Sequence, residues 1–321
     1  MLKKVLLTGC TGFVGRSVLT RLCRDGEAVV ACSRTEMLKA PSAVEYMQVA
    51  DLDSNTDWTL VLSGIAAVIH CAARVHVMND TSSDPLTEFR QINVDGTLNL
   101  ARQAAAAGVR RFIFISSIKV SGEGTVLGAP YHADAQPAPV DPYGISKMEA
   151  EQGLRILATE TTMEVVIIRP VLVYGPGVKA NFLSMMRWLH KSVPLPFGAI
   201  DNRRSLVALD NLVDLIVTCI DHPAAANQTF LVSDGEDLST TELLRRMGAA
   251  LGKSARLLPV PSRLLEVGAA TLGKQALAQR LCGSLQVDIN KTRELLNWTP
   301  PLGVDEALRK AAKHFLEQQS K

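Results

Sequence analysis

The 321-residue chain lacks a long apolar run, because charged residues interrupt its hydrophobic stretches at short intervals. A membrane-spanning helix needs about 20 predominantly apolar residues, so the sequence predicts no membrane insertion. A strong charge of either sign is also lacking, since the formal net charge is +2. This near balance argues against a dedicated nucleic-acid-binding or membrane-surface protein. A chain of this length can form one large α/β unit or two domains.

Paired cysteines are absent as well, because the six cysteines stand at the scattered positions 10, 23, 32, 71, 219 and 282. Such spacing fits reduced thiols in a cytoplasmic protein better than a disulfide framework. The sequence contains neither His-Glu-x-x-His nor Gly-x-Ser-x-Gly, and its histidines show no ligand spacing. These absences exclude the commonest zinc-enzyme and serine-hydrolase patterns, and no metal is expected.

A glycine-rich turn near the N-terminus is the first positive signal. It follows a short apolar run at 4–8 and precedes apolar residues at helical spacing, which predicts strand, turn and helix. Glycines let the backbone approach a pyrophosphate, whose charge the N-terminus of the following helix favours. A merely tight turn is the weaker alternative. The predicted cofactor contacts in this turn are Gly9, Thr11, Gly12, Phe13, Val14 and Gly15.

The end of the second predicted strand, at 28–32, indicates which dinucleotide binds. NAD-binding units usually place an acid there, where it accepts hydrogen bonds from the ribose hydroxyls. This chain has Ser33 and Arg34 instead. A guanidinium suits a 2′-phosphate, which a carboxylate would repel. NADP(H) is therefore the favoured cofactor, and NAD(H) stays open.

Four further apolar runs, at 44–49, 66–73, 110–117 and 164–169, read as strands. With the long helix predicted at 84–108 they indicate an α/β protein with a Rossmann-type doubly wound parallel sheet, whose ligands sit at the carboxyl ends of the strands. A buried amide at Asn93 must be hydrogen-bonded, and His70 is expected to pack within its strand. The strand ends place these candidates at the cofactor: Asp51, Leu52, Ala72, Ala73 and Ser117.

The stretch from Asp141 to Lys147 carries the predicted chemistry. Asp141 is a good N-cap and Pro142 fits the first helical position, so Tyr143 and Lys147 share one helix face. A phenol has a pKa near 10, and a neighbouring ammonium is expected to lower it toward the working range. The alternative is a solvated helix face. The pair therefore predicts an acid/base device for a hydroxyl/ketone reaction.

Together these motifs resemble the extended short-chain dehydrogenase/reductase family over nearly the whole chain. The resemblance rests on the glycine turn, Asp51-Leu52, Ala72-Ala73, the segment 92–97, the segment 141–147 and the segment 169–176. It implies an NAD(P)-binding domain of residues 1–170 with 205–233 returning to it. A smaller C-terminal α/β substrate domain would comprise 171–204 and 234–321.

The resemblance also implies roles for individual residues. Tyr143 would be the general acid/base, Lys147 would hold the nicotinamide ribose and Ser117, rather than Ser116, would bind the substrate oxygen. Asn93 and Pro170 would join the cofactor site. A UDP-sugar would contact Asn181, Phe182, Phe197 and Arg203, with Arg204 as a less certain helper. Relatives of this kind suggest a homodimer built as a four-helix interface from 85–107 and 141–160.

The reaction on the sugar is predicted by exclusion and resemblance. Nucleotide-sugar 4,6-dehydratases carry Asp-Glu directly after the hydroxyl residue that corresponds to Ser117. In this chain Ile118 and Lys119 follow Ser117. Arg34 favours exchangeable NADPH. The segment 197–214 resembles bacterial 4-reductases of UDP-4-keto-6-deoxy-N-acetylhexosamine, which make surface-polysaccharide (O-antigen, lipopolysaccharide) sugars. That reductase is the predicted function, with a UDP-hexose or UDP-N-acetylhexosamine 4-epimerase holding NAD as the alternative and a non-catalytic dinucleotide sensor as a remoter one.

Overall fold

Two β-sheets organise the chain in this computed structural model, which describes residues 4–34, 44–49, 51–75, 84–271, 273 and 275–319. The apolar runs of the sequence become buried strands, as in β1, where four of five residues are buried. The strands are β1 (Lys4–Thr8), β2 (Ala28–Ser33), β3 (Val44–Gln48), β4 (Ile65–His70), β5 (Arg111–Ile115), β6 (Glu164–Pro170), β7 (Leu172–Tyr174), β8 (Arg204–Ala208), β9 (Thr229–Val232) and β10 (Asp237–Leu238).

The larger sheet has seven parallel strands in the order β3-β2-β1-β4-β5-β6-β9. The chain runs outward from β1 in one direction and then returns to continue from β4 in the other. The predicted doubly wound parallel sheet is thereby confirmed. Strand order reverses between β1 and β4, so the carboxyl ends of these two strands flank the crevice in which such sheets bind ligands.

Helices cover both faces of this sheet, and core clusters lie on each side of it. Among the described residues, no helix is long and apolar enough to cross a membrane. The α-helices are α1 (Phe13–Arg24), α2 (Pro85–Arg90), α3 (Thr97–Ala106), α4 (Pro142–Glu160), α5 (Ala180–His190), α6 (Leu209–Asp221), α7 (Thr240–Ala250), α8 (Ser262–Thr271), α9 (Gln275–Cys282), α10 (Asn290–Leu296) and α11 (Val304–Gln319).

The smaller sheet has three strands in the order β10-β8-β7, and a separate core cluster joins it to α5, α7 and α11. Within the segment 205–233, β8 belongs to this small sheet, whereas α6 packs on α1 and β9 extends the large sheet. The predicted division into two domains with those boundaries stays a prediction.

The helix predicted over 84–108 consists of three pieces. A π-helical turn, Gln91–Gly96, separates α2 from α3. A Cβ at Gly96 would lie 2.4 Å from the carbonyl oxygen of Leu52, so this turn packs directly on the backbone beyond β3. The apolar residues that predicted one helix, such as Leu86, Phe89 and Leu100, lie in α2 and α3 on either side of this turn, so the pattern did not reveal it. The sequence also gave no signal for the short helix α10.

Close backbone packing at the glycine turn generates a test of the fold. A Cβ at Gly15 would lie 2.2 Å from the carbonyl oxygen of Gly9, whereas one at Gly268 would meet no described atom within 4 Å. We expect Gly15→Ala to lower the free energy of unfolding by roughly 1–3 kcal/mol, because backbone must move. In urea titrations the matched control Gly268→Ala in α8 should be neutral or stabilising by up to about 1 kcal/mol. Equal effects of the two changes would contradict this packing.

Candidate active site

A cavity of about 400 Å³ opens where β1, β2 and β4 end. Its position matches the crevice predicted from the reversal of strand order. Of the predicted cofactor residues, nine line it: Gly9, Thr11, Gly12, Ser33, Arg34, Asp51, Leu52, Ala72 and Ala73. The remaining lining residues are Thr8, Cys32, Val49, Trp58, Cys71, Arg74, Val75 and Ile92.

The glycine turn forms one wall of the cavity and suits a dinucleotide. Gly9 has a φ of +69° and lies so close to β4 that a Cβ would approach the backbone nitrogen of Ala72 to 2.7 Å. No side chain caps the start of α1 at Gly12, so its first N–H groups are available to an anion. The residues present therefore fit the pyrophosphate of NAD or NADP.

Not every residue predicted from this turn faces the cavity. Phe13 and Val14 pack against the core, and Gly15 is buried within α1. Their contribution is to hold the turn against the sheet. Asn93, Tyr143, Lys147 and Pro170 also lie outside the residues that line the cavity.

The end of β2 has the polar character that the sequence predicted. The hydroxyls of Ser33 and Tyr46 are 2.8 Å apart, and Arg34 is exposed. Asp51 is the single carboxylate among the described lining residues, and the described end of β2 carries Ser33 and Arg34. Of the lining residues that sequence reasoning missed, Cys32 and Cys71 also end strands and could have been found by that rule. Trp58 follows no motif; its burial depends on packing beside α3.

Helix α4 positions the predicted acid/base pair. The Asp141 carboxylate accepts a hydrogen bond from the backbone N–H of Gly144 at 2.6 Å, which fixes the start of the helix as predicted. Tyr143 packs edge-on against Phe89, with ring centroids 5.9 Å apart. Lys147 is buried with its Nζ 3.9 Å from the centre of the Phe114 ring on β5. Lys147 is thus enclosed between α4 and the sheet, whereas Tyr143 is half-buried beside α2.

Two serines follow β5 and have different partners. The Ser117 hydroxyl lies close enough to the Tyr143 phenol to lower its pKa. The Ser116 hydroxyl instead donates to Oε1 of Glu151 at 2.5 Å and is buried. The structure therefore brings Ser117, and not Ser116, to the predicted acid/base tyrosine. The chemical role of Ser117 stays a proposal.

The pKa of Tyr143 shifts opposite to the predicted direction. Burial and the charge of Asp141 raise it to about 12, although the proximity of Ser117 lowers it. Burial also lowers the pKa of Lys147 to about 7. The sequence predicts that the Lys147 ammonium lowers the pKa of Tyr143. Burial outweighs this effect, because it disfavours the charged forms of the tyrosine and of the lysine alike. The hydroxyl is therefore the resting form of Tyr143 in the cofactor-free protein.

Asn93 and His70 support the site through buried hydrogen bonds. The Asn93 amide holds the backbone of Arg74, accepting from its N–H at 2.8 Å and donating to its carbonyl at 3.0 Å. Its Nδ2 also donates to the Ser146 hydroxyl. His70 lies between the hydroxyls of Thr8 and Thr97, at 2.7 and 3.0 Å. Burial lowers its pKa to about 3, so it is neutral.

The predicted sugar-binding residues occupy a second region beside the small sheet. Asn181 is exposed on α5, and Phe197 is half-buried. The Phe182 ring is 2 % exposed and stacks on Tyr174, so it is not available to a ligand. Arg203 is partly exposed and lies 3.9 Å from Glu242. Arg204 donates to the carbonyl of Gly283, and burial beside Arg280 lowers its pKa.

Comparisons with known proteins agree with this geometry. The family model described as "NAD dependent epimerase/dehydratase family" matches residues 5–233. The chain belongs to this family. A UDP-glucose 4-epimerase of Vibrio cholerae is 50 % identical over 322 residues, covering 100 % of this chain and 98 % of the relative. The predicted membership of the nucleotide-sugar group of extended short-chain dehydrogenase/reductases and the predicted NAD(P)-dependent enzyme are confirmed.

More distant proteins of this family act on several substrates. An N-acetyl-α-D-glucosaminyl-diphospho-ditrans,octacis-undecaprenol 4-epimerase of Escherichia coli O157:H7 is 26 % identical, with 95 % of this chain and 94 % of the relative covered. A GDP-6-deoxy-D-mannose reductase of Pseudomonas aeruginosa is 25 % identical, with 96 % of each covered.

Solved structures share the fold over almost the full length. MoeE5 in complex with UDP-glucose and NAD superposes with a TM-score of 0.77 at 23 % identity, covering 99 % of this chain and 100 % of that one. UDP-glucuronic acid 4-epimerase from Bacillus cereus, in complex with NAD, gives 0.79 at 21 % identity with the same coverage. At these identities the likeness shows the fold alone. Among the described residues, no group of three or more His, Cys, Asp or Glu could hold a metal ion.

The contact between Tyr143 and Ser117 leads to a test of the catalytic assignment. Tyr143→Phe removes one hydroxyl and leaves the ring packed on Phe89, so nucleotide binding should be nearly unchanged. Turnover should fall by about 10²–10⁴, the usual contribution of a positioned acid or base. The control is Tyr131→Phe, which loses only a hydrogen bond to the carbonyl of Gly124. Full turnover in Tyr143→Phe would show that another group moves the proton.

Proposed function

We propose that this protein is a UDP-hexose 4-epimerase that retains NAD. The observation that carries the proposal is the 50 % identity to the Vibrio cholerae UDP-glucose 4-epimerase across the full chain. The proximity of Ser117 to Tyr143, with Lys147 one turn further along α4, supports it. UDP-glucose is the substrate to test first, and UDP-N-acetylglucosamine the second.

The side chains suit reversible oxidation at C4 of the sugar. A bound NAD would supply the acceptor for the C4 hydride and, once reduced, its donor. Tyr143 accepts the proton of the C4 hydroxyl as the ketone forms and gives it back when the ketone is reduced. Ser117 hydrogen-bonds the same oxygen. Because burial and Asp141 raise the pKa of Tyr143 to about 12, its hydroxyl must release its own proton to solvent before it accepts the proton of the C4 hydroxyl. A protonated Lys147 would favour the phenolate that this release forms.

The UDP group would lie beside the small sheet. An arginine fork pairs well with pyrophosphate oxygens, and the partly exposed Arg203 offers such a fork. The charge of Arg280 lowers the pKa of Arg204, so a diphosphate bound between them would also relieve this repulsion. Asn181 and Phe197 complete the proposed sugar-nucleotide contacts, whereas the buried Phe182 ring supports the wall behind them.

A 4-ketoreductase is the second candidate, favoured by one observation. Ser33 and the exposed Arg34 form the described end of β2 at the cavity, an arrangement that suits NADPH. The reductase was the primary expectation from the sequence, but the comparisons favour the epimerase. A role in bacterial surface-polysaccharide biosynthesis, cytoplasmic location and the homodimer built from 85–107 and 141–160 stay proposals.

The two functions differ in stoichiometry. With UDP-glucose as substrate and no added reductant, we expect UDP-galactose to appear until an equilibrium mixture forms, because the hydride leaves and returns to the same carbon. The products are separated by chromatography, and absorbance at 340 nm follows any net change in reduced cofactor. Consumption of one NADPH per 4-keto-6-deoxy sugar, without inversion of UDP-glucose or UDP-N-acetylglucosamine, would replace the epimerase by the reductase.

The nucleotide that copurifies with the protein gives an independent test. An epimerase must keep its cofactor through the catalytic cycle, so we expect NAD, at close to one equivalent per chain, when the protein is denatured and the supernatant is analysed by mass. The Arg34→Ala variant should retain the same amount, since an exposed guanidinium has no 2′-phosphate to bind in NAD. Release of NADP(H), lost in Arg34→Ala, would favour the reductase.

A further inference from the structure

Glu151 is a fully buried carboxylate on α4 that the proposed chemistry does not use. It lies four residues after Lys147, so the two side chains share one face of the helix. A buried charge is costly unless it is paired and hydrogen-bonded. The surroundings of Glu151 show how this cost is offset.

Three groups donate to the Glu151 carboxylate, and they come from both neighbouring strands and from α4 itself. The Arg169 guanidinium on β6 donates twice, at 2.9 and 2.6 Å. The Ser116 hydroxyl after β5 donates at 2.5 Å, and Arg155 at 2.9 Å. Glu151 thus joins the end of β5, which carries Ser117, to the helix that carries Tyr143 and Lys147.

Lys147 has little else to stabilise its charge. Burial disfavours the ammonium, and the Phe114 ring offers only a cation–π contact. The thiol of Cys71, whose pKa burial raises to about 12, is protonated, and His70 is neutral. The described groups that act on Lys147 are Phe114, His70 and Cys71 from the sheet side and Glu151 from α4, and the Arg169 and Arg155 guanidiniums bind Glu151. Glu151 is the carboxylate among them.

We propose that Glu151 is a positioning residue: its carboxylate is the buried counter-charge that keeps Lys147 an ammonium, while its bond to Ser116 aligns β5 with α4. The proposal rests on the proposed function only in assigning Lys147 to the cofactor. Pairing with the buried Arg169 offsets the cost of burying the carboxylate, and the charge of Glu151 also opposes the effect of burial on Lys147.

The proposal has a definite sign. Burial lowers the pKa of Lys147 to about 7, and Glu151 opposes that fall. If the charge of Glu151 is removed, the pKa of Lys147 falls further, so the ammonium is lost at a lower pH. Cofactor affinity that depends on the ammonium is present below this pKa and is lost as the pH rises through it.

The experiment measures the dissociation constant of NAD from pH 5.5 to 9.5, on protein freed of copurifying nucleotide. We expect the affinity of the unaltered protein to weaken with a midpoint near pH 7, and Lys147→Met to lose this dependence. Glu151→Gln keeps the shape of the side chain and removes its charge. The midpoint of its NAD affinity should therefore move down by about one pH unit. Above the new midpoint, binding should be up to about tenfold weaker than in the unaltered protein.

Two matched variants separate charge from shape. Glu151→Asp keeps the charge and Ser116→Ala removes one donor only, so both should leave the midpoint within about 0.3 pH unit even if overall affinity drops. Should Glu151→Gln not fold, Arg155→Gln serves instead, because its guanidinium, with 42 % of the side chain exposed, neutralises the same carboxylate. Its midpoint should rise by about 0.3 pH unit.

The proposal is overturned if the midpoint of Glu151→Gln does not move. It is also overturned if Glu151→Asp shifts down as far as Glu151→Gln, since a purely structural role for Glu151 predicts one of these two results. The readout is NAD binding without sugar. A protein that fails to invert any UDP-hexose but shows the charge-dependent shift therefore refutes the proposed function and leaves this inference standing.

Discussion

Burial of the Lys147 ammonium beside the Tyr143 phenol is the constraint on which the site depends. Packing of α4 against the sheet desolvates both groups and disfavours the charged form of each: the pKa of the lysine falls to about 7 and that of the tyrosine rises to about 12. A positive charge brought close to this pocket favours the Tyr143 phenolate but disfavours the Lys147 ammonium, so the two groups respond in opposite senses.

The sheet supplies the geometry that makes such a pocket useful. Reversal of strand order opens the crevice between β1 and β4, and the cavity lies at that place. Parallel strands bring Ala72, Ser117 and Pro170 to one edge, while α4 crosses behind β5 and β6. The Glu151 carboxylate connects these elements, because it accepts hydrogen bonds from Ser116, Arg155 and Arg169. Cofactor cavity and acid/base pair are therefore parts of one packed assembly.

Much of this arrangement could be predicted because it is local in sequence. Short stretches of known backbone geometry encode the glycine turn, the Asp141 cap and the four-residue spacing of Tyr143 and Lys147. The properties that escaped prediction depend on tertiary packing. The direction of the Tyr143 shift follows from desolvation, the Phe182 ring turned out to pack on Tyr174, and Glu151 reads in sequence as an ordinary charged residue on a helix.

The choice between reductase and epimerase shows a further limit. Arg34 is one exposed residue at the cavity. Its charge affects the choice between NADP and NAD but does not determine whether C4 of the sugar is reduced or inverted. Identity along the whole chain averages over many positions, including the proposed sugar-nucleotide region around Arg203, whereas the resemblance of segment 197–214 to reductases rests on one short stretch.

Isotopic labelling tests the central claim, reversible oxidation at C4 within one site, most directly. UDP-glucose carrying deuterium at C4 is incubated with the protein in ordinary water, and the UDP-galactose formed is analysed by mass and NMR. The account predicts that the product keeps the deuterium at C4, because the same hydride returns from retained cofactor. Loss of the deuterium to solvent or to added cofactor, or absence of any inverted product, would contradict it.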